Sequence, residues 1–183
     1  MPPGANTGLD LEGPQWSFAV DLYRRPAVSA ACLLLQDRVG GDVCLLLFAL
    51  FLARERRCAL EHSDLENLDD AIADWRRDVI MPLRSLRRRL KAGPHPAPSP
   101  QTDAVRRRIQ AAEIDAEQIE LALLARCFDR HPPVASAVPT DTAAVLDRLA
   151  RFFALRCGNP AASTSLEVRT ALKTIADALA EPW

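Results

Sequence analysis

The sequence predicts an all-α fold, a single-domain bundle of about seven helices dominated by a long, kinked antiparallel helical hairpin. Apolar residues recur every three or four positions through most of residues 14–181, which is the period of helices with one buried face. No stretch shows the two-residue alternation of a half-buried strand, and no internal repeat is present. The chain has 183 residues, of which 49% are hydrophobic, so it can form one substantial core.

The first helix is predicted to begin at Pro14 and to end before Pro26, because proline is favoured in the first turn of a helix and excluded from its interior. Residues 1–13 are expected to form a disordered tail, and they contain no secretory leader pattern. The predicted inward face of this helix consists of Trp16, Val20 and Tyr23.

Two apolar blocks in residues 26–54 are interrupted by a polar turn at residues 36–42. A membrane-spanning helix needs about 20 consecutive apolar residues, and each block is roughly half as long. The blocks are therefore predicted to be two short core helices and not a transmembrane segment. Asp42 is placed to cap the second one, because its carboxylate can accept hydrogen bonds from the free amides of the first turn.

The two long helices of the predicted hairpin flank a proline-rich flexible loop at residues 92–101. Ser63 and Glu66 have the spacing of a capping box, so the first helix is predicted to begin there. Pro82 is expected to kink it, because proline cannot donate a backbone hydrogen bond. The second helix is predicted over residues 103–130. Helical spacing predicts the inward positions Leu65, Leu68, Ile72, Trp75, Val79, Leu83, Leu86 and Leu90 in the first helix, and Val105, Ile109, Ala112, Ala116, Ile119 and Leu123 in the second.

Residues 132–181 are predicted to be a C-terminal helical extension. Two helices are expected there, over residues 142–157 and 165–180, and Thr164 and Glu167 have the spacing of a second capping box. Their predicted inward positions are Val145, Leu149, Phe152 or Phe153, Val168, Leu172, Ile175 and Leu179.

Several short motifs between Trp16 and Leu124 have the spacing of one known family. They are Trp16-x-Phe18, Tyr23-x-x-Pro26-x-Val28, Gly41-Asp42-Val43, and Trp75-Arg76 followed by Pro82-Leu83-Arg84. These motifs resemble a bacterial family of small helical proteins known as domain-of-unknown-function family 2390. The resemblance implies no established activity, ligand or catalytic residue. Where the family pattern implies Asn after Asp42-Val43, this chain has Cys44, and the residues beyond about Cys127 lie outside the resemblance.

Positive charge is concentrated at the predicted free end of the hairpin. Residues 76–91 contain six arginines and one lysine against a single acidic residue, Asp78. An antiparallel partner helix brings residues 106–108 back beside them, and its glutamates are expected to face Arg76 and Arg77. The side chains predicted to lack internal partners are Arg84, Arg87, Arg88, Arg89, Lys91, Arg106, Arg107 and Arg108.

This basic cluster has two interpretations. Guanidinium groups match carboxylate and phosphate geometry, so the cluster can bind an acidic protein, a phosphate group or nucleic acid. The alternative is a solvated face, since cations near the C-terminus of a helix are favourable with its dipole. Nucleic acid is the weaker choice among the partners, because the cluster lacks interleaved aromatic side chains on which bases could stack.

A second candidate site combines the polar turn with the acidic run at residues 69–74. Two carboxylates four residues apart on a helix could hold a metal ion against a diphosphate, as isoprenoid-synthase aspartate motifs do. No second acidic motif accompanies this run, so ordinary helix capping and ion pairing also explain it. The residues of this alternative site, which would serve a small helical enzyme or a lipid- or isoprenoid-binding protein, are Gln36, Asp37, Arg38, Asp42, Asp70 and Asp74.

No established catalytic or metal-binding constellation is present in the sequence. The three histidines lack metal-ligand spacing, and there is neither a glycine-rich phosphate loop nor a nucleophile elbow. Five widely spaced cysteines suit a reducing compartment better than a disulfide framework. With a net charge of −1, no overall field draws the chain to polyanions. We therefore expect a cytoplasmic, noncatalytic binding or regulatory module without metal or cofactor.

Overall fold

The computed structural model of the protein describes residues 8–132 and 141–182, and every regular element in these ranges is helical. The α-helices are α1 (Pro14–Tyr23), α2 (Val28–Val39), α3 (Val43–Glu55), α4 (His62–Trp75), α5 (Met81–Ala92), α6 (Pro100–Arg130), α7 (Thr142–Arg156) and α8 (Leu166–Ala180). A π turn (Arg76–Ile80) joins α4 to α5, and a 3-10 helix (Pro160–Thr164) precedes α8. Because α4, the π turn and α5 form one continuous helix, the described chain has seven helices and the predicted all-α bundle is confirmed.

The predicted antiparallel hairpin is also confirmed. The indole nitrogen of Trp75 donates to the carbonyl of Ala116 at 3.0 Å, and Arg87 further along α5 reaches Glu113, which is earlier in α6. Residue numbers therefore rise along one helix as they fall along the other. The loop between the two is shorter than predicted, because Ser99 and Thr102 form a capping box that starts α6 at Pro100.

The irregularity that Pro82 was expected to cause takes the form of the π turn. Proline has no amide proton to bond the carbonyl four residues earlier, and widening the preceding turn changes which carbonyls are paired. A π turn contains one residue more than an α-helical turn. The side chains that follow it are therefore rotated about the helix axis from the positions that α-helical spacing predicts. Ile80 is buried and Leu86 is 45% exposed, and the prediction that Leu86 points inward is therefore wrong.

The centre of the core is α3. Its residues from Cys44 to Ala53 are all buried, while α1, α6 and α7 pack around it. Asp42 caps this helix as predicted, with its carboxylate accepting from the amide of Leu45 at 2.8 Å. None of the helices in the described ranges combines the length and the apolar character that a membrane span requires.

Two predicted capping boxes are wrong by one or two residues. Helix α4 is capped by Glu61, whose amide donates to the Asp64 carboxylate at 2.8 Å, and not by Ser63 with Glu66. Helix α8 is capped by Ser165 and not by Thr164, because residues up to 164 form the 3-10 helix. In each case another side chain capable of capping lies beside the predicted one, and the tertiary path of the chain selects between them.

Helices α7 and α8 cover the other side of α2 and α3. Both phenylalanines at 152 and 153 are buried, as are the predicted apolar positions of α8. The guanidinium of Arg25 donates to the carbonyl of Ala178 at 2.5 Å, which attaches the end of α8 to the turn after α1. Of the predicted N-terminal tail, residues 1–7 lie outside the described part, whereas the carbonyl of Leu11 accepts from Gln118 at 2.9 Å.

Candidate functional site

An open groove of about 500 Å³ lies among α1, α2, α3, α5 and α6. One part of its lining is apolar and includes both half-exposed and buried side chains: Trp16, Val20, Leu33, Leu47, Ile114 and Leu121. The other part is polar and consists mainly of Gln36, Arg84, Arg87, Arg88, Glu113 and Glu117. The groove is therefore amphiphilic, with its charged part provided by the hairpin. Its volume is within the range of small-molecule and peptide-binding pockets.

Arg84 is the centre of the polar part. Its Nε donates to Glu113 at 3.0 Å, its Nη1 to the side-chain carbonyl of Gln36 at 2.6 Å, and its Nη2 to Glu117 at 2.7 Å. One guanidinium therefore ties α5 to both α6 and α2. This side chain is only 22% exposed, so its hydrogen bonds are partly shielded from competition with water.

Arg87 completes the network by donating from Nε and Nη2 to the same Glu113 carboxylate. Burial alone would raise the pKa of Glu113, but the hydrogen bonds from Arg87 and Arg84 outweigh it and lower the pKa below its usual value. Glu117 accepts a hydrogen bond from Arg84 but not from Arg87. Burial outweighs the interaction with Arg84 and raises the pKa of Glu117. The charged part of the groove is thus a preformed ion-pair network and not a set of free cations.

A second polar cluster lies behind the groove, where α3 begins. Asp42, Cys44 and Glu120 bring their carboxylate and thiol groups within 4.8 Å of one another. The Arg76 guanidinium is 3.3 Å from Asp42 and 2.7 Å from Asp69, and Asp69 is also 2.8 Å from Arg156. Burial, followed by the charge of Asp42, raises the pKa of Glu120 to about 9. Burial also raises the pKa of the Cys44 thiol, so neither group is a ready base or nucleophile.

The residues of the predicted basic cluster do not form one surface. The expectation that Arg84 and Arg87 lack internal partners is wrong, because Glu113 and Glu117 lie farther toward the free end of the hairpin than predicted. Arg106 is 3.2 Å from Asp103 on its own helix, and Arg88 is 3.7 Å from Asp37. The exposed members with no ion-pair partner among the described residues are Arg89, Lys91, Arg107 and Arg108. We call these four residues the basic end.

The residues of the alternative site also separate. Gln36 binds Arg84 and Asp42 caps α3, whereas Arg38 forms an exposed ion pair with Glu167 at 2.8 Å. Asp70 pairs with Arg156 at 3.1 Å and Asp74 with Arg77 at 2.8 Å. The structure therefore does not bring Asp70 and Asp74 to the polar turn, and the acidic residue of that run which points inward is Asp69, 5% exposed.

Sequence reasoning missed the acidic inward face of α6. Glu113, Glu117 and Glu120 are spaced by four and three residues, the period of a buried helical face, and two of the three are almost fully buried. The predicted stripe through Ala112 and Val105 is one position out of phase with this face, and both residues are exposed. The matching spacing of Arg84 and Arg87 on the opposite helix was the signal that could have identified the pairing.

The fold and the groove define a small helical protein with an amphiphilic groove, and no established catalytic constellation is present among the described residues. The chain belongs to the family described as "Protein of unknown function (DUF2390)", which matches residues 14–124. The resemblance based on the sequence motifs is thus confirmed. No curated protein and no solved structure matches the chain.

Proposed function

We propose that the protein is a noncatalytic binding module that docks an acidic, amphipathic helical segment of a partner protein in the groove. The observation that carries this proposal is the continuity of an apolar groove wall with an arginine-rich edge. A helix bound in a groove places apolar side chains at intervals of three and four residues in the groove and its charged side chains at the rim. Acidic residues of such a helix would face α5.

The charge of the groove favours an acidic partner. Its lining includes four arginines, Arg24, Arg84, Arg87 and Arg88, against the two glutamates 113 and 117. Arg87 uses Nε and Nη2 for Glu113, which leaves Nη1 without a hydrogen-bond partner in the described part of the chain. The basic end lies outside the lining of the groove and adds four exposed positive charges to the same hairpin. Complementary charge steers association and selects the partner.

Two exposed apolar side chains mark the area that a partner would cover. Leu33 in α2 and Ile114 in α6 are each 44% exposed and both line the groove. Burying apolar surface on binding is favourable by about 25 cal/mol per Å² before the costs of association. An acidic amphipathic helix would satisfy this apolar pair and the arginine edge together.

A protein partner suits the groove better than nucleic acid does, because much of the lining is apolar and the phosphate backbone that dominates nucleic-acid affinity has no apolar surface to cover it. A noncatalytic role is supported by the titratable groups of the groove, which are committed to ion pairs or have raised pKa values. The same proposal places the protein in the cytoplasm, where its five free cysteines would remain reduced.

Selection from a random helical-peptide display library tests the proposal. We expect selected peptides to be acidic, with apolar residues at intervals of three and four positions, and to bind with micromolar affinity. Ile114→Glu, at a half-exposed site that tolerates a polar side chain, is expected to weaken their binding by more than about tenfold, equivalent to about 1.4 kcal/mol. Leu166→Glu changes an 80% exposed leucine that does not line the groove and serves as the matched control.

Charge reversal tests the contribution of the basic end. The double variant Arg89→Glu with Lys91→Glu is expected to slow association and to make it less sensitive to salt. The control, Arg126→Glu with Arg169→Glu, alters net charge equally at two exposed arginines elsewhere. Peptides without acidic residues, binding that survives Ile114→Glu, or selective binding of an oligonucleotide or a fatty-acid probe would each contradict the proposal.

A further inference from the structure

Three potential metal ligands from two separate helices meet beside the groove. Asp42 is the N-cap of α3 and Cys44 lies in its first turn, whereas Glu120 comes from α6. One ligand atom of each lies within 4.8 Å of the others. Such a set of ligands has no short sequence signature, because Glu120 is more than seventy residues from Asp42 and Cys44.

The state of Glu120 is an independent indication of a ligand. This side chain is 1% exposed, and its Oε1 atom is buried without a hydrogen-bond partner in the described structure. Buried carboxyl oxygens are normally satisfied by hydrogen bonds or by a cation. A cation bound by the three residues would neutralise the Glu120 carboxylate and supply the partner that it lacks.

We propose that Asp42, Cys44 and Glu120 bind one divalent ion of the zinc class. Zinc accepts sulfur and oxygen ligands in the same site, whereas magnesium and calcium prefer oxygen ligands alone. Zinc bonds of about 2.0–2.3 Å separate tetrahedral ligand atoms by about 3.5 Å, so shifts of less than about 1 Å at each ligand would close the site.

The surrounding charges balance when the ion is bound. The ionised ligands Asp42, Cys44 and Glu120 together carry three negative charges, and a divalent ion with Arg76 supplies three positive charges. Asp69 retains Arg156 as its own partner at 2.8 Å. In the metal-free protein, protons on Glu120 and Cys44 leave Asp42 paired with Arg76 at 3.3 Å. The ion therefore replaces two protons without leaving a buried charge unpaired.

The structure also provides orientation and access. The amide of Leu45 donates to Asp42 at 2.8 Å, while Arg76 holds the other carboxylate oxygen, and such contacts orient metal ligands. Cys44 lines the groove, so an ion can reach the cluster from solvent. Arg76 is thus a positioning residue for the site, whether or not the groove binds a protein segment.

Titration of the full chain with Co²⁺, after treatment with a chelator, tests this proposal. Cobalt replaces zinc in such sites, and a thiolate bound to it produces a near-ultraviolet charge-transfer band. We expect this band to saturate at one equivalent and to be abolished by added Zn²⁺. Cys44→Ser is expected to remove the band, and Glu120→Gln to weaken Co²⁺ binding by about 10- to 100-fold.

The controls are Cys32→Ser, at a buried thiol outside the cluster, and Cys157→Ser, at an exposed thiol. Both are expected to retain the band. Circular dichroism establishes that each variant is folded, and Zn²⁺ is expected to raise the Tm of the wild type by more than that of Glu120→Gln at the same concentration. Absence of the band in the wild type, its persistence in Cys44→Ser, or its loss in a control alone would overturn the proposal.

Discussion

Glu113 and Glu120 are buried carboxyl groups two turns apart on the same side of α6, yet their pKa values are shifted in opposite directions. Their exposed fractions are 4% and 1%. The pKa of Glu113 is lowered because the hydrogen bonds from Arg87 and Arg84 outweigh burial, whereas burial and Asp42 raise the pKa of Glu120 to about 9. Burial alone therefore does not determine whether a carboxyl group is charged. The number of donors that reach it decides the outcome.

The difference assigns separate roles to the two glutamates. Glu113 joins α5 to α6 through two arginines and shapes the charged part of the groove. Glu120 has Arg76 nearby, but Arg76 is committed to Asp42 and Asp69. Glu113 is thus an ionised group with a structural role, whereas Glu120 can bind either a proton or a cation.

The largest expected effect is that of Glu113→Gln. This substitution retains the shape of the side chain but leaves Arg84 and Arg87 with less buried negative charge, and we expect a loss of about 3 kcal/mol in the free energy of unfolding at neutral pH. Urea denaturation followed by circular dichroism measures it. Glu120→Gln, the same substitution on the same helix, is expected to cause little loss. Equal losses in the two variants would refute the comparison.

The contribution of Glu120 to stability is expected to depend on pH. Its pKa is about 9 in the folded protein against a usual value of 4.5, so between these values the unfolded chain releases a proton that the folded chain retains. Stability therefore falls as the pH rises through this range, by about 1.4 kcal/mol per pH unit for one proton. Asp42, Glu117, Cys44 and Arg76 are the ionisable groups facing it.

Urea denaturation of metal-free protein at several pH values measures this dependence. Glu120→Gln is expected to flatten the decline between about pH 5.5 and 8.5, because glutamine has no proton to release. The lowered pKa of Glu113 has the opposite effect on stability. Its stabilising contribution is present above pH 4.5 and is lost as the pH falls through the pKa of Glu113 in the folded protein. A variant that retains the slope of the wild type would place the titrating group elsewhere.

The smallest effect is expected from Arg88→Ala. Arg88 is adjacent to Arg87 on α5, but its side chain is 54% exposed and its partner Asp37 is 63% exposed at 3.7 Å. Solvent screens such a pair, so we expect a loss of less than about 1 kcal/mol in the free energy of unfolding. Arg87→Ala, which removes a donor from buried Glu113, is expected to cost more in the same urea denaturation. A larger loss for Arg88→Ala would mean that exposure does not separate the two arginines.

The sequence is sufficient for features that depend on local physics. Asp42 was predicted as an N-cap from its position before an apolar run, and the ion pair between Asp74 and Arg77 joins residues three positions apart on one helix. Pro82 was expected to kink the first long helix, and the structure has a π turn just before this residue. Each of these features involves residues within a few positions of one another.

The groove and the ion pairs could not be derived in the same way, because they depend on the register between two helices. The predicted register placed Glu113 and Glu117 beside Arg76 and Arg77, which is about two helical turns from their actual partners. The π turn also moved Ile80 inward and Leu86 outward. Hydrophobic spacing along the sequence does not reveal a one-residue rotation about the helix axis, although this rotation decides which side chains face the groove.

The π turn before Pro82 sets the rotation of α5 relative to α4 within one continuous helix. Each residue rotates an α-helix by about 100°, so a chain with one residue fewer at this point would direct Arg84 and Arg87 away from Glu113. The upstream half, anchored in the core by Leu65, Leu68 and Ile72, would keep its orientation. In evolutionary terms, a single-residue insertion or deletion at the π turn would form or break the ion pairs that line the groove without changing any residue of the groove.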